Sequence, residues 1–214
     1  MQGIIEKEQI EYLDSLRIEP DDLLKEMEKY AKENLVPIIH WNAAEFLEQM
    51  ITIHKPENVL ELGTAIGYSA IRAARVFTEK AHLDTVEICE ASFKMAIANI
   101  EKAGLQNKIT IHYGNAHEVL PAIDKEYDFI FLDADKKDYI ELFKLSLTKL
   151  KVGGVIFVDN LLWKGRVAIT DTEKRYKAST ACVKEFNPLF IAEETLNSSI
   201  FPVGDGVGIG IKIK

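Results

Sequence analysis

Two apolar runs in this 214-residue chain end in carboxylates. Tyr127–Leu132 runs into Asp133-Ala134-Asp135-Lys136, and Gly154–Val158 runs into Asp159-Asn160. Read as adjacent parallel strands, they bring Asp133, Asp159 and Asn160 to one rim. Three oxygen donors suit a hard divalent cation that keeps positions open for water or substrate oxygens. One strand-end carboxylate is as readily a helix cap. Two strand ends with three oxygen donors point to a metal site.

A second constellation lies upstream. Val59-Leu60-Glu61-Leu62-Gly63-Thr64-Ala65-Ile66-Gly67-Tyr68-Ser69 reads as a strand, a tight turn and a helix start. Gly63 and Gly67 let the backbone turn and approach a ligand at the strand's carboxyl end, where open α/β sheets bind theirs. The spacing departs from the dinucleotide fingerprint, because Ala65 stands where a second glycine admits a pyrophosphate. Glu87, 24 positions beyond Gly63, is placed to accept both hydroxyls of a ribose, and Gly114-Asn115-Ala116-His117 to border an adenine. Ribose and adenine without phosphate describe S-adenosylmethionine.

The elements that must carry these residues follow from the pattern after about residue 55, where short apolar runs alternate with amphipathic segments. Expected strands are Asn58–Leu62, His82–Ile88, Ile109–Tyr113, Phe129–Leu132, Val155–Val158, a stretch near Leu189–Thr195, and Val207–Ile213. Expected helices lie at about 67–78, 91–103, 116–123, 137–150 and 172–187. Asn197-Ser198-Ser199 and the residues up to Gly204-Asp205-Gly206 read as the link between the last two strands. It is too short for a crossover helix, so an antiparallel hairpin should close the otherwise parallel sheet. That ending is usual in class I methyltransferases and unusual in dinucleotide folds.

Three helices precede the sheet, at about 3–16, 21–34 and 40–52, with Pro20 in the first turn of the second. They read as a cap over the strand ends, a dimer surface or plain core packing. The whole reads as one domain, 1–52 helical and 55–214 a Rossmann-like core.

Net charge is -8, opposite in sign to the footprint of a general nucleic-acid binder. The charge is unevenly distributed: residues 1–135 sum to -12, 136–184 to +6 and 185–214 to -2. Within 161–184, Lys164, Arg166, Lys174, Arg175, Lys177 and Lys184 face only Asp171 and Glu173. Such a run is either a solvated helix face or a phosphate contact beside the site, with Trp163 and Tyr176 able to stack on a base. Cys89 and Cys182 are too few for a disulfide framework. With no apolar run near the roughly 18 to 20 residues of a membrane span, the expected location is cytoplasmic.

Glu61–Ser69, Leu132–Lys136, Asp159-Asn160 and the Pro202-Val203-Gly204-Asp205-Gly206 ending together resemble the cation-dependent O-methyltransferases of the catechol and caffeoyl-CoA type. With Val36-Pro37-Ile38 added, the chain is most similar to their bacterial tRNA 5-hydroxyuridine branch. The resemblance implies that Ser69 and the backbone around Gly63 hold the methionine moiety, with Glu61 also binding the cofactor and Ile39 lining it. It implies Glu87 on the ribose, Asn115 and Ala116 on the adenine, and Asp133 beside both cofactor and metal. Asp133, Asp159 and Asn160 would hold Mg2+, and Lys136 would be the general base. The expected acceptor is wobble 5-hydroxyuridine in tRNA, with a catechol or caffeoyl-CoA-like compound as the alternative and a nicotinamide-dependent oxidoreductase or non-catalytic nucleotide-binding module as a distant one. The resemblance also implies a homodimer.

Overall fold

Side chains alternate across the central strands and so build two cores, one on each sheet face. Val59, Phe129, Phe131, Val155, Phe157 and Ile209 pack on one face, and Leu60, Leu62, Ile130, Leu132, Ile156 and Val158 on the other. This computed structural model describes residues 7–18, 20–170 and 172–214. The strands are β1 (Asn58–Leu62), β2 (His82–Glu87), β3 (Ile109–Tyr113), β4 (Tyr127–Leu132), β5 (Leu150–Val158), β6 (Leu196–Phe201) and β7 (Val207–Lys212). They form one sheet in the order β3-β2-β1-β4-β5-β7-β6. β1 to β5 are parallel, and β7 is antiparallel to both β5 and β6. The order reverses between β1 and β4, the switch point at which such sheets bind ligands.

The helices are α1 (Lys7–Ser15), α2 (Asp22–Asn34), α3 (Trp41–His54), α4 (Tyr68–Arg75), α5 (Glu90–Lys102), α6 (Ala116–Ala122), α7 (Tyr139–Lys149) and α8 (Lys177–Ala192). Asp21 caps α2 by accepting from the Leu23 and Leu24 amides at 3.0 and 3.3 Å. Pro20 therefore stands outside the helix rather than in its first turn. Of the expected 3–16 helix, residues 1–6 lie outside the described residues, and α1 buries none of its side chains.

α3 forms a layer on the sheet rather than a cap over it. Ala43, Ala44, Leu47 and Ile51 are buried in the first core with Val59, Phe129 and Phe157. His54 at its far end contacts the Asp128 carbonyl at 3.0 Å, near the amino end of β4. Only its first turn reaches the opposite, carboxyl rim.

The expected strand near Leu189–Thr195 is mostly helix, since α8 continues to Ala192. Val183, Phe186 and Phe190 make a helical stripe, and Phe186 and Phe190 meet Phe143 edge-on at 5.4 and 5.7 Å. That burial outweighs the β-like composition near the helix end. The expected 172–187 helix shifts accordingly to Lys177–Ala192. Asn197, Ser198 and Ser199, expected as a link, are strand residues of β6. An edge strand needs only one paired side and tolerates a polar face, so its composition resembled a turn. The turn itself spans residues 202–206, and the antiparallel hairpin is as expected.

Candidate functional site

Strand register assembles the rim. Leu62 pairs with Val86 and with Leu132, and Leu132 with Val158. One residue further, Gly63, Glu87, Asp133 and Asp159 therefore stand side by side across four parallel strands. The ladder continues at this level: the Asp133 amide donates to the Leu62 carbonyl at 2.9 Å and the Asp159 amide to the Leu132 carbonyl at 3.2 Å. Glu87 pairs with Tyr113, which brings Gly114 and Asn115 to the same edge.

The glycine turn is held from below. Glu61 is buried, and its two carboxylate oxygens accept from the Ser69 and Thr85 hydroxyls, each at 2.5 Å. Thr85 in turn meets the Thr64 hydroxyl at 2.6 Å. Burial pushes the Glu61 carboxyl up to about 7, against the lowering effect of the two hydroxyls. Thr85 was not singled out from sequence, although it pairs directly with Glu61 across β1 and β2.

Glu87 holds the turn from the side. It accepts from the Ala65 amide at 2.8 Å and the Cys89 amide at 2.7 Å. Ala65 has φ +47°, so the residue standing in for the second glycine adopts the left-handed region regardless. Gly67, at φ +86°, caps α4. The Asn115 side chain caps α6 by accepting from the His117 amide at 3.0 Å, with Ala116 as the first helical residue. Ile39 is buried in the same core cluster as Ile66 and Tyr68 of the glycine turn.

At the acidic end, Asp159 is 1% exposed. Its carboxyl is held well above the usual range, first by burial and then by the charge of Asp133 beside it. Asn160 has φ +64°, and its amide donates to the Asp159 carboxylate at 2.7 Å. Lys136 is buried whereas Lys137 is exposed, so Lys136 is no solvated helix-end lysine. Its ammonium donates to Asp133 at 3.0 Å and to the Tyr139 hydroxyl at 2.7 Å. The Tyr139 hydroxyl donates onward to the Asp159 carbonyl at 3.0 Å.

Two members of this site were not singled out from sequence. Tyr139 sits three residues after Lys136, on the first turn of α7. Asp205, in the β6–β7 turn, is half-buried, and burial raises its carboxyl; the Lys164 amide hydrogen bond opposes this most strongly. The sequence signal was the Gly-Asp-Gly spacing, which places a carboxylate in a tight turn.

The donor set fits a hard cation. Two aspartates and an asparagine provide oxygen ligands, and the crowding of Asp133 against a buried Asp159 is the surplus negative charge that a divalent ion offsets. Among the described residues no group of three or more His, Cys, Asp or Glu side chains forms a metal cluster. Any ion here would be held by two carboxylates and an amide. Among the described residues no helix is long and apolar enough to cross a membrane.

A class I methyltransferase fold with a glycine turn and carboxylates at its strand ends is that of an S-adenosylmethionine-dependent O-methyltransferase. Comparison with known proteins gives the family. The O-methyltransferase family model matches residues 15–213, and the chain belongs to that family. Caffeoyl-CoA O-methyltransferase 1 of Arabidopsis thaliana is 32% identical over 202 residues, covering 89% of this chain and 78% of the plant protein. Caffeoyl-CoA O-methyltransferase 2 of Populus trichocarpa is 31% identical, covering 90% and 83%. An O-methyltransferase of Bacillus cereus, solved in complex with SAH, superposes with a TM-score of 0.82 at 28% identity, covering 94% of this chain and 96% of that one. The resemblance to the catechol and caffeoyl-CoA type thus holds at family level, and the oxidoreductase alternative falls away.

Proposed function

We propose that the protein transfers a methyl group from S-adenosylmethionine to a hydroxyl that has a second oxygen beside it, with Mg2+ held by Asp133, Asp159 and Asn160. The observation that carries this reading is the pairing of Leu132 with Val158, which sets two aspartates level with each other next to the glycine turn. A bound cation would lower the acceptor hydroxyl's pKa and fix the orientation of both oxygens. Glu87 and the backbone at Gly63 orient the cofactor, with Ser69 and Glu61 bracing the turn beneath it. Ile39, Asn115 and Ala116 line its remaining sides. Lys136, held beside Asp133 with its nitrogen on the Tyr139 hydroxyl, would take the acceptor's proton as the neutral amine and carry it as the ammonium. In-line attack on a sulfonium methyl needs little covalent help, so positioning supplies much of the rate.

The acceptor proposed first is a caffeoyl-CoA-like thioester, the substrate in the relatives' names, or another small catechol; this reverses the order expected from sequence. A second acceptor, 5-hydroxyuridine in tRNA, is accommodated by one observation, which suits the phosphates and adenine of a CoA thioester equally. The Arg166 and Arg175 guanidinium carbons lie over the Tyr176 ring, 3.9 and 4.6 Å from its centroid, and Trp163 meets that ring edge-on at 6.5 Å. This cationic, aromatic patch follows directly on Asp159-Asn160 and suits a phosphate-bearing substrate with a base to stack. Purified protein, methyl-labelled cofactor and Mg2+ with either caffeoyl-CoA or hydroxyuridine-containing tRNA would decide. Label in the thioester alone supports the first acceptor and label in tRNA the second. Label in neither, nor in free catechol, overturns the proposal.

A homodimer is proposed through α1 and the residue after it, which expose Ile10, Leu13 and Leu16. Light scattering at the monomer mass would refute it.

A further inference from the structure

The segment that follows the paired aspartates has an improbable backbone. Trp163, Lys164 and Gly165 take φ of +47°, +52° and +75° in succession. Side chains other than glycine avoid this region, and they stay there only where the surroundings hold them. What holds them is the β6–β7 turn. The Leu161 amide donates to the Gly206 carbonyl at 2.9 Å and the Leu162 amide to the Asp205 carbonyl at 2.8 Å. The Lys164 amide donates to the Asp205 carboxylate.

The turn is itself seated tightly. A β-carbon at Gly206 would lie 2.5 Å from the Leu162 amide nitrogen, and one at Gly204 would lie 2.8 Å from the Ala43 β-carbon on α3. Residues 204–206 are therefore wedged between the first turn of α3 and the segment after the aspartates. The same segment sets the Trp163 ring 5.6 Å from the Lys136 ammonium, with the indole nitrogen buried and without a hydrogen-bond acceptor among the described residues.

We propose that Asp205 is a positioning residue. Its carbonyl and carboxylate clasp the Leu162 and Lys164 amides, hold residues 163–165 in their left-handed turn and so place the Trp163 wall against which the methyl acceptor is seated. It acts through the backbone of Lys164 and not as a ligand of the cation. The cofactor side of the rim, built on β1, β2 and β3, does not depend on this clasp. The inference rests on the proposed methyl transfer only for the choice of acceptor probe.

The test uses the full chain with Asp205→Ala, Asp205→Asn and Gly206→Ala. Asparagine keeps an oxygen that can accept from Lys164, whereas Gly206→Ala disturbs the clasp and leaves the carboxylate in place. Three readouts are taken: KM and kcat for catechol, SAH affinity by calorimetry, and the rate of tryptic cleavage after Lys164 and Arg166. Asp205→Ala and Gly206→Ala should raise the catechol KM by about tenfold or more while kcat falls much less. They should also speed cleavage at both sites and leave SAH affinity within about twofold. Asp205→Asn should stay near the wild type in all three. The inference is overturned if Asp205→Asn is as impaired as Asp205→Ala and needs more Mg2+ for half-maximal activity, since the charge would then act at the cation. It is also overturned if Asp205→Ala leaves tryptic cleavage unchanged. The cleavage readout stands even if catechol is not methylated at all, so failure of the clasp and failure of the methyl-transfer reading are distinguishable.

Discussion

A β-carbon on Gly63 would lie 2.4 Å from the Asp133 carbonyl oxygen. The turn proposed to carry the cofactor and the strand end proposed to carry the cation are thus in backbone contact, with no side chain between them. Methyl donor and acceptor must meet at bonding distance, and this contact removes the slack that a side chain would introduce.

Gly63→Ala should therefore be severe. The alanine would have to adopt φ +106° and push β4 away from β1. SAH affinity measured by calorimetry should fall by at least about tenfold. Affinity equal to wild type would show that the contact yields without consequence.

Asp159→Asn separates stability from chemistry. The substitution removes a carboxyl whose ionisation burial and Asp133 already oppose, so the metal-free protein should melt at the same temperature or higher. Activity should drop by about a hundredfold or more. Adding Mg2+ should raise the melting temperature of the wild type but not of the variant. A wild type that Mg2+ does not stabilise would count against the cation site.

Glu61 gives the cofactor-free protein a pH dependence of definite sign. Burial, the leading cause, raises its carboxyl from 4.5 to about 7. Its contribution to stability is fully present below about pH 4.5 and is lost as pH rises through 7. The difference in unfolding free energy between wild type and Glu61→Gln should shift by on the order of 3 kcal/mol across that window, to the disadvantage of the wild type at high pH. Denaturant melts at pH 5 and pH 8 measure it, and parallel curves for the two proteins would refute the assignment.

The patch around Tyr176 predicts how charge enters recognition. Replacing Arg166 and Arg175 together by Gln should weaken a phosphate-bearing acceptor by about tenfold at low salt and reduce the salt dependence of its KM. Free catechol, which lacks phosphate, should keep its KM. Equal losses for both acceptors would mean that the pair supports the site's shape rather than phosphate.

Much of the site can be read along the chain because a parallel strand ends in the same place for every neighbour. Asp133 and Asp159 each follow an apolar run, Glu87 ends and Gly63 follows a short strand of mixed composition, and parallel register brings such ends to one rim. The rise and fall of hydrophobicity is a local signal, and it located the glycine turn, the two aspartates and five central strands. It failed at α8 and β6, where a helical stripe and a polar edge strand depend on what lies opposite.

The sequence by itself determined the class of enzyme: residue types at strand ends and the spacing of glycines led to an S-adenosylmethionine-dependent O-methyltransferase. Only the tertiary structure decided how those residues are braced. Ser69 and Thr85 converge on Glu61, Lys136 turns inward to Asp133 and Tyr139, and Asp205 reaches 41 positions back to the Lys164 amide. Period and composition act over a few residues, whereas these contacts are fixed by strand register and by which helix lies on which face. Neither is written in any single stretch of the chain.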